Sequence, residues 1–250
     1  MEKIIALSML YGARAIQHAQ SNDFLLCRCL LYMLQLNHTL MDSTAQKENS
    51  LDDPTSTKTD LFTRFQQRLS AVGGETHHVA SLEEAASFIA AHPALATGEL
   101  VIPPIGNGET ALPPWGIVLP TLRDRGIITH RAESPASVAD APAGLSCAEL
   151  AIAETGSVLL ADNSLAARVV SMLTLTHFVI VSEHKLVPLL DDAGRLLQQL
   201  TKAGPDQRHY ISFVTGPSRT ADIERTLTIG VQGPKALCVL VVQDWEEANS

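Results

Sequence analysis

The sequence predicts an α/β domain built on a mostly parallel sheet with flanking helices. Three observations carry this. Short apolar runs alternate with segments of helical period from Leu61 onward. The run at 177–181 is continuously apolar after its histidine, as in a strand buried on both faces. Aromatic residues make up 4% of the 250 while hydrophobic residues make up 46%. The core is therefore aliphatic, which suits helices packed on a sheet.

The elements follow in order. Residues 1–40 are rich in Leu, Met, Ala and Cys, with Leu25, Leu26, Leu30, Leu31, Leu34 and Leu36 at helical spacing. Residues 42–60 are almost wholly polar and read as a linker. Residues 1–57 are thus expected to be an extension outside the main fold, and 58–250 the α/β domain. Glu2 and a short apolar core argue against a signal peptide. Leu61, Phe62, Phe65 and Leu69 predict a helix that stops at Gly73-Gly74. Residues 77–80 read as a short strand. Ser81 with Glu84 forms a capping box that opens a helix running to about Ala91. Leu100-Val101-Ile102 reads as a strand ending at Pro103-Pro104, followed by a Gly/Pro loop at 106–114. A strand is expected at 127–130 and a short helix at the start of 145–152. Next come a strand at 156–160, a helix at 164–173 and a helix at 187–200. Strands at 210–214 and 236–242 complete the pattern.

The composition excludes several functions. The formal net charge of −9 provides no basic field for nucleic acid. No apolar run reaches the ~18–20 residues of a membrane span. The four cysteines, Cys27, Cys29, Cys147 and Cys238, form no Cys-x-x-Cys pair, so no zinc ribbon or iron–sulfur cluster is expected in this chain. A reducing, cytoplasmic setting is the expectation. His77, His78, His177 and His184 lack the spacing of a zinc set, and no metal site is expected. Gly106-Asn107-Gly108 lacks the third glycine of a dinucleotide loop, and no Gly-x-Ser-x-Gly elbow occurs.

Two motifs carry candidate chemistry. Thr215-Gly216-Pro217-Ser218-Arg219-Thr220-Ala221-Asp222 follows an apolar strand. It gathers hydroxyls, backbone N–H groups and a guanidinium, which suits a carboxylate or phosphate. The alternative is a polar turn whose hydroxyls cap a following helix. Ala153-Glu154-Thr155-Gly156-Ser157 places a carboxylate at a strand mouth. Glu154 is a candidate nucleophile or base there, or the structural partner of Arg168 or Arg219. Lys235, after Gly233-Pro234, either faces an anion or is solvated. The anion-binding set is therefore Thr155, Gly156, Thr215, Gly216, Ser218, Arg219, Thr220, Asp222 and Lys235, with Glu154 as the catalytic candidate.

These motifs, with 168–181 between them and Gly230-Val231-Gln232-Gly233-Pro234-Lys235 after them, resemble the LUD domain family of lactate utilization protein C. The resemblance covers roughly 61–244 and is carried by the second half. Thr174-Leu175-Thr176 and Gln232 depart from the family pattern, where a proline-containing segment and a histidine are usual. The resemblance implies a fold similar to the sugar-phosphate isomerase and CoA-transferase superfamily. It also implies oxidation of L-lactate to pyruvate beside iron–sulfur partner subunits, with no cofactor in this chain. By the same analogy Glu154-Thr155-Gly156 is similar to the catalytic glutamate of class I CoA-transferases. The other functions kept open are a non-catalytic subunit that senses a small anion and an independent enzyme acting on a sugar phosphate or acyl-CoA.

Overall fold

The computed structural model describes residues 58–105, 114–204, 207–221, 227–230 and 233–245. The expected extension at 1–57, the Gly106-Asn107-Gly108 segment, Asp222 and Gln232 lie outside the described residues.

Helix α1 spans Lys58–Ala71 and buries Phe65 and Leu69. It stops as its sequence predicts. Gly73 takes φ +84, and the Gly74 N–H returns to the Leu69 carbonyl at 3.0 Å. Strand β1 (Glu75–Ser81) follows, then α2 (Leu82–Ala91). The Ser81 hydroxyl accepts the Glu84 N–H at 3.3 Å, and the Glu84 carboxylate accepts the Ala80 N–H at 2.7 Å. The reciprocal bond therefore lands one residue earlier than in an ideal capping box. Next come β2 (Glu99–Ile102), α3 (Trp115–Asp124), β3 (Ile128–Arg131) and the one-turn α4 (Pro135–Val138). The chain continues through β4 (Ala143–Cys147), β5 (Leu150–Ile152), β6 (Ser157–Asp162) and α5 (Leu165–Leu173). Then follow β7 (Thr176–Ser182), β8 (Leu186–Val187), α6 (Ala193–Thr201) and β9 (Tyr210–Val214). Strands β10 (Arg219–Ala221), β11 (Leu227–Ile229) and β12 (Ala236–Asp244) close the fold.

Six strands form one sheet in the order β1-β12-β7-β4-β2-β3, and every pair in it is parallel. The central strands β7 and β12 are near-continuous apolar runs because both of their faces are covered. On one face Val79, Leu100, Ile102, Leu145, Phe178, Ile180, Leu240 and Val242 pack with α2 and α3. On the other, Val179, Val181, Val239 and Val241 meet Phe65 and Leu69 of α1 and Ala151, Val158 and Leu160 of a second sheet. That second sheet has the order β8-β5-β6-β9 and mixes antiparallel and parallel pairs. Helix α6 covers its outer face through Ala193 and Leu200. The mostly parallel α/β architecture expected from the sequence is the one observed.

Two expectations are corrected, and one alternative is set aside. The short helix at the start of 145–152 is instead β4 and β5. A short run such as Ala143-Gly144-Leu145-Ser146-Cys147 has no decisive period, and pairing with β2 and β7 decides it. The helix at 187–200 begins only at Ala193. Val187 precedes Pro188, which disfavours helical backbone, and Val187 pairs with Ile152 in the second sheet. The 215–218 loop runs directly into β10, paired antiparallel with β11, so the alternative in which its hydroxyls cap a helix starting there is set aside. Helix α3 has no counterpart in the sequence reading, and Gly116 and Pro120 within it locally disfavour helix. Burial of Val118 and Leu122, both fully enclosed, overrides that local preference.

Candidate functional site

The two motifs do come together. The Ser157 hydroxyl lies 2.5 Å from the Thr215 hydroxyl, across 58 residues of sequence. The Gly233-Pro234-Lys235 segment joins them: the Ser218 N–H donates to the Pro234 carbonyl at 2.9 Å, and the Gly230 N–H donates to the Ser218 carbonyl at 2.9 Å. The Lys235 N–H donates to the Leu175 carbonyl at 2.8 Å, just ahead of β7. This cluster thus sits where β7 and β12 begin.

Helix α1 is the scaffold for both motifs. Gly156 has φ +67, and a Cβ there would fall 2.5 Å from the Leu69 backbone nitrogen. Gly216 has φ +85, and a Cβ there would fall 2.8 Å from a Val72 methyl. Both glycines are needed for conformation and for close approach to the last turns of one helix. The Arg219 guanidinium donates to the Val72 carbonyl, which anchors the loop to the same helix end.

The individual candidates divide as follows. The Glu154 carboxylate accepts the Leu190 N–H at 2.8 Å, and the Glu154 N–H donates to the Pro188 carbonyl at 3.1 Å. It therefore ties the β5–β6 turn to the segment leading into α6. The Thr155 hydroxyl is buried and meets no hydrogen-bond partner among the described residues. Lys235 and Arg219 are exposed, and Thr215, Gly216 and Ser218 are half-buried. Thr220 lies in β10. Arg168, one of the two arginines considered for Glu154, stacks over the Tyr210 ring at 5.3 Å.

Sequence reasoning passed over a second set of ionisable groups at the opposite, carboxyl ends of the parallel strands, where open α/β sheets commonly hold ligands. Cys147 closes β4, and Glu149 lies 3.7 Å from Lys185 in the turn after β7. Glu183, in that same turn, accepts from His78 at 2.9 Å and lies 3.8 Å from Lys58. Burial pushes the Cys147 thiol far above its ordinary range, and Glu149 adds to this, so it is no poised thiolate. Asp162, at the end of β6, is pushed up to about 6, first by burial and then by Glu149, while Arg208 and Arg168 pull it back. Cys147 and Glu149 are two apart in sequence, as are Glu183 and Lys185, but no spacing links these pairs to each other, to His78 or to Asp162; the fold assembles them.

Asp162 has a testable consequence. A carboxyl whose folded value lies above its unfolded value of 3.8 destabilises the fold at neutral pH, and this penalty fades as pH falls from about 6 toward 3.8. Replacement by Asn is expected to raise stability by about 1 kcal/mol at pH 7.5, after discounting for solvent screening. Thermal melts should show that gain at pH 7.5 and none at pH 3.5.

His177 belongs to neither cluster. It lies in a central strand and is fully buried, with Nε2 3.0 Å from the Ser146 hydroxyl. Burial pushes its pKa down to about 3, so the imidazole is neutral. Its Nδ1 meets no partner among the described residues.

Fold and site together define an open α/β protein with a parallel six-stranded sheet and polar clusters at both strand ends. Residues 62–242 match the LUD domain, and the chain belongs to the LUD domain family. It is 37% identical over 101 residues to lactate utilization protein C 1 of Bacillus mycoides, across 40% of this chain and 43% of that protein. It is 35% identical over 101 residues to lactate utilization protein C of Bacillus subtilis, across 40% of this chain and 42% of that protein. With the Shouchella clausii protein of the same name it shares 35% over 116 residues, 46% of this chain and 49% of that one. The chain thus spans less than half the length of the curated relatives it matches. The crystal structure of a DUF162 family protein from Deinococcus radiodurans aligns with a TM-score of 0.51 at 23% identity, covering 74% of this chain and 98% of that one. That likeness supports the fold. Among the described residues no helix is long and apolar enough to cross a membrane.

Proposed function

We propose that this chain is the cluster-free subunit of a cytoplasmic system that oxidises L-lactate to pyruvate. The relatives named for lactate utilization support this, and the carrying observation is the Ser157–Thr215 contact that unites the two motifs. Oxidation removes two electrons and two protons from the hydroxyl-bearing carbon and its oxygen. Iron–sulfur partner proteins take the electrons. The lactate carboxylate is held by Thr155, Thr215, Ser218 and Arg219, which α1 positions by its close approach to Gly156 and Gly216. Lys235 flanks this cradle. A hydroxyl without a protein partner, as at Thr155, favours an anion there because the buried group otherwise forgoes a hydrogen bond.

The test is lactate oxidation by this chain reconstituted with its iron–sulfur partners. Omitting the chain is expected to abolish the rate. Thr155→Val is expected to raise the KM for lactate about tenfold, the worth of one hydrogen bond to a charged group. An unaltered rate without this chain overturns the reading. Glu154→Gln separates two roles. A collapse in kcat assigns it to the reaction, whereas unchanged kinetics leave it as the anchor of the Leu190 N–H.

A further inference from the structure

A third cluster lies outside both sets of residues. Glu75 opens β1 and is directly opposite Cys238 of β12 in the parallel register, and His77 follows two residues on, on the same face. Their donor atoms, a carboxylate oxygen, an imidazole nitrogen and a thiol sulfur, all lie within 4.8 Å of one another. We propose that Glu75, His77 and Cys238 bind a divalent transition-metal ion in tetrahedral geometry, with zinc the natural fit.

The donor set suits that ion. One thiolate, one carboxylate and one neutral imidazole neutralise a divalent charge, and mixed S, N and O donors are those zinc accepts. Tetrahedral bonds of ordinary length require donors roughly 3.3–3.7 Å apart. His77 Nε2 and Glu75 Oε1 now share a 2.5 Å contact, so they must part slightly to admit the ion. Glu75 is half exposed and His77 a third exposed, so both have room to move. Cys238, at 1% exposure, forms the fixed floor of the site.

The surroundings orient these donors as outer partners do in metal sites. Phe88 packs on the His77 ring at 4.1 Å between centroids. His92 places Nε2 3.9 Å from the second Glu75 oxygen. Its Nδ1 accepts the Ala94 N–H at 3.1 Å, so in the neutral ring Nε2 carries the proton. With its proton on Nε2 and 3.9 Å from the carboxylate, His92 is an electrostatic neighbour of Glu75 and not a fourth ligand. Three protein ligands leave one position open on the exposed side of Glu75, where water or a ligand atom binds. Coordination requires the thiolate, so binding releases the thiol proton and tightens as pH rises.

The test uses the full chain, stripped with chelator and titrated with cobalt(II) and with zinc(II). One equivalent of cobalt is expected to give tetrahedral visible bands and a thiolate charge-transfer band. Cys238→Ser and His77→Ala are each expected to abolish the charge-transfer or visible bands and weaken zinc binding roughly 100-fold. His77 is partly exposed, so His77→Ala reports on the site even if Cys238→Ser folds poorly. A wild-type chain that binds no metal at micromolar concentration overturns the proposal. So does a charge-transfer band that survives in folded Cys238→Ser, because it then arises from another cysteine.

Discussion

Gly156→Ala is expected to lower stability by about 3–4 kcal/mol, combining left-handed backbone strain with forced repacking of a helix. The residue sits at φ +67, and the new methyl would lie 2.5 Å from the Leu69 nitrogen and 2.8 Å from the Arg68 carbonyl carbon. These are backbone atoms, so no side chain can swing aside. The helix itself must move, and it carries Phe65 and Leu69, which are fully buried against the main sheet. Thermal melting should show a fall of roughly 10 °C for a domain of this size. Gly126→Ala provides the comparison. It shares a positive φ of +81, but a Cβ there meets nothing within 4 Å. Its cost is expected to be about 1 kcal/mol, the strain alone. Equal losses in the two variants would show that packing on α1 is not the reason for glycine at 156. Gly194→Ala, in α6 with open space around it, is expected to gain about 0.5–1 kcal/mol.

The second large effect concerns acid. His177 stays neutral in the folded protein down to about pH 3, while an unfolded histidine takes a proton near 6.5. Its full contribution is therefore present above pH 6.5. As pH falls from 6.5 to 3, protons bind the unfolded chain preferentially, and stability drops by about 1.4 kcal/mol per unit. The total is on the order of 4 kcal/mol. Asp162 acts in the opposite sense between about pH 6 and 3.8, so the wild-type curve alone blends two slopes. The difference between wild type and His177→Gln isolates the histidine. Urea unfolding at pH 4.5 and pH 8 should show the variant losing stability at pH 8, through the Ser146 contact, yet closing the gap or overtaking wild type at pH 4.5. A constant difference across that range would place His177 in contact with water.

Much of the fold was legible because its signals are local. The Gly73-Gly74 stop, the Ser81 cap and the apolar runs of β7 and β12 each act within a few residues, and each appears where its residues imply. Misreadings fall where local preference is weak or opposed. Helix α3 forms despite Pro120, and β4 forms from a run with no clear period, because both are buried against the same sheet face. The second sheet escaped notice because β5 and β8 are only three and two residues long, too short for any periodicity to register.

The candidate sites divide by the same rule. The sequence by itself determined the α/β class, the aliphatic core, the order of the motifs and their glycines, since these depend on residue type and short spacing. Only the tertiary structure decided that Gly156 and Gly216 press on one helix, that Ser157 touches Thr215, and that Glu154 holds the Leu190 N–H. It also decided that Glu75, His77 and Cys238 meet. In sequence Cys238 lies far from His77, and no motif spacing links them. Parallel pairing of the first described strand with the last brings them to one face, and a pairing between such distant strands is set by the packing of the whole sheet.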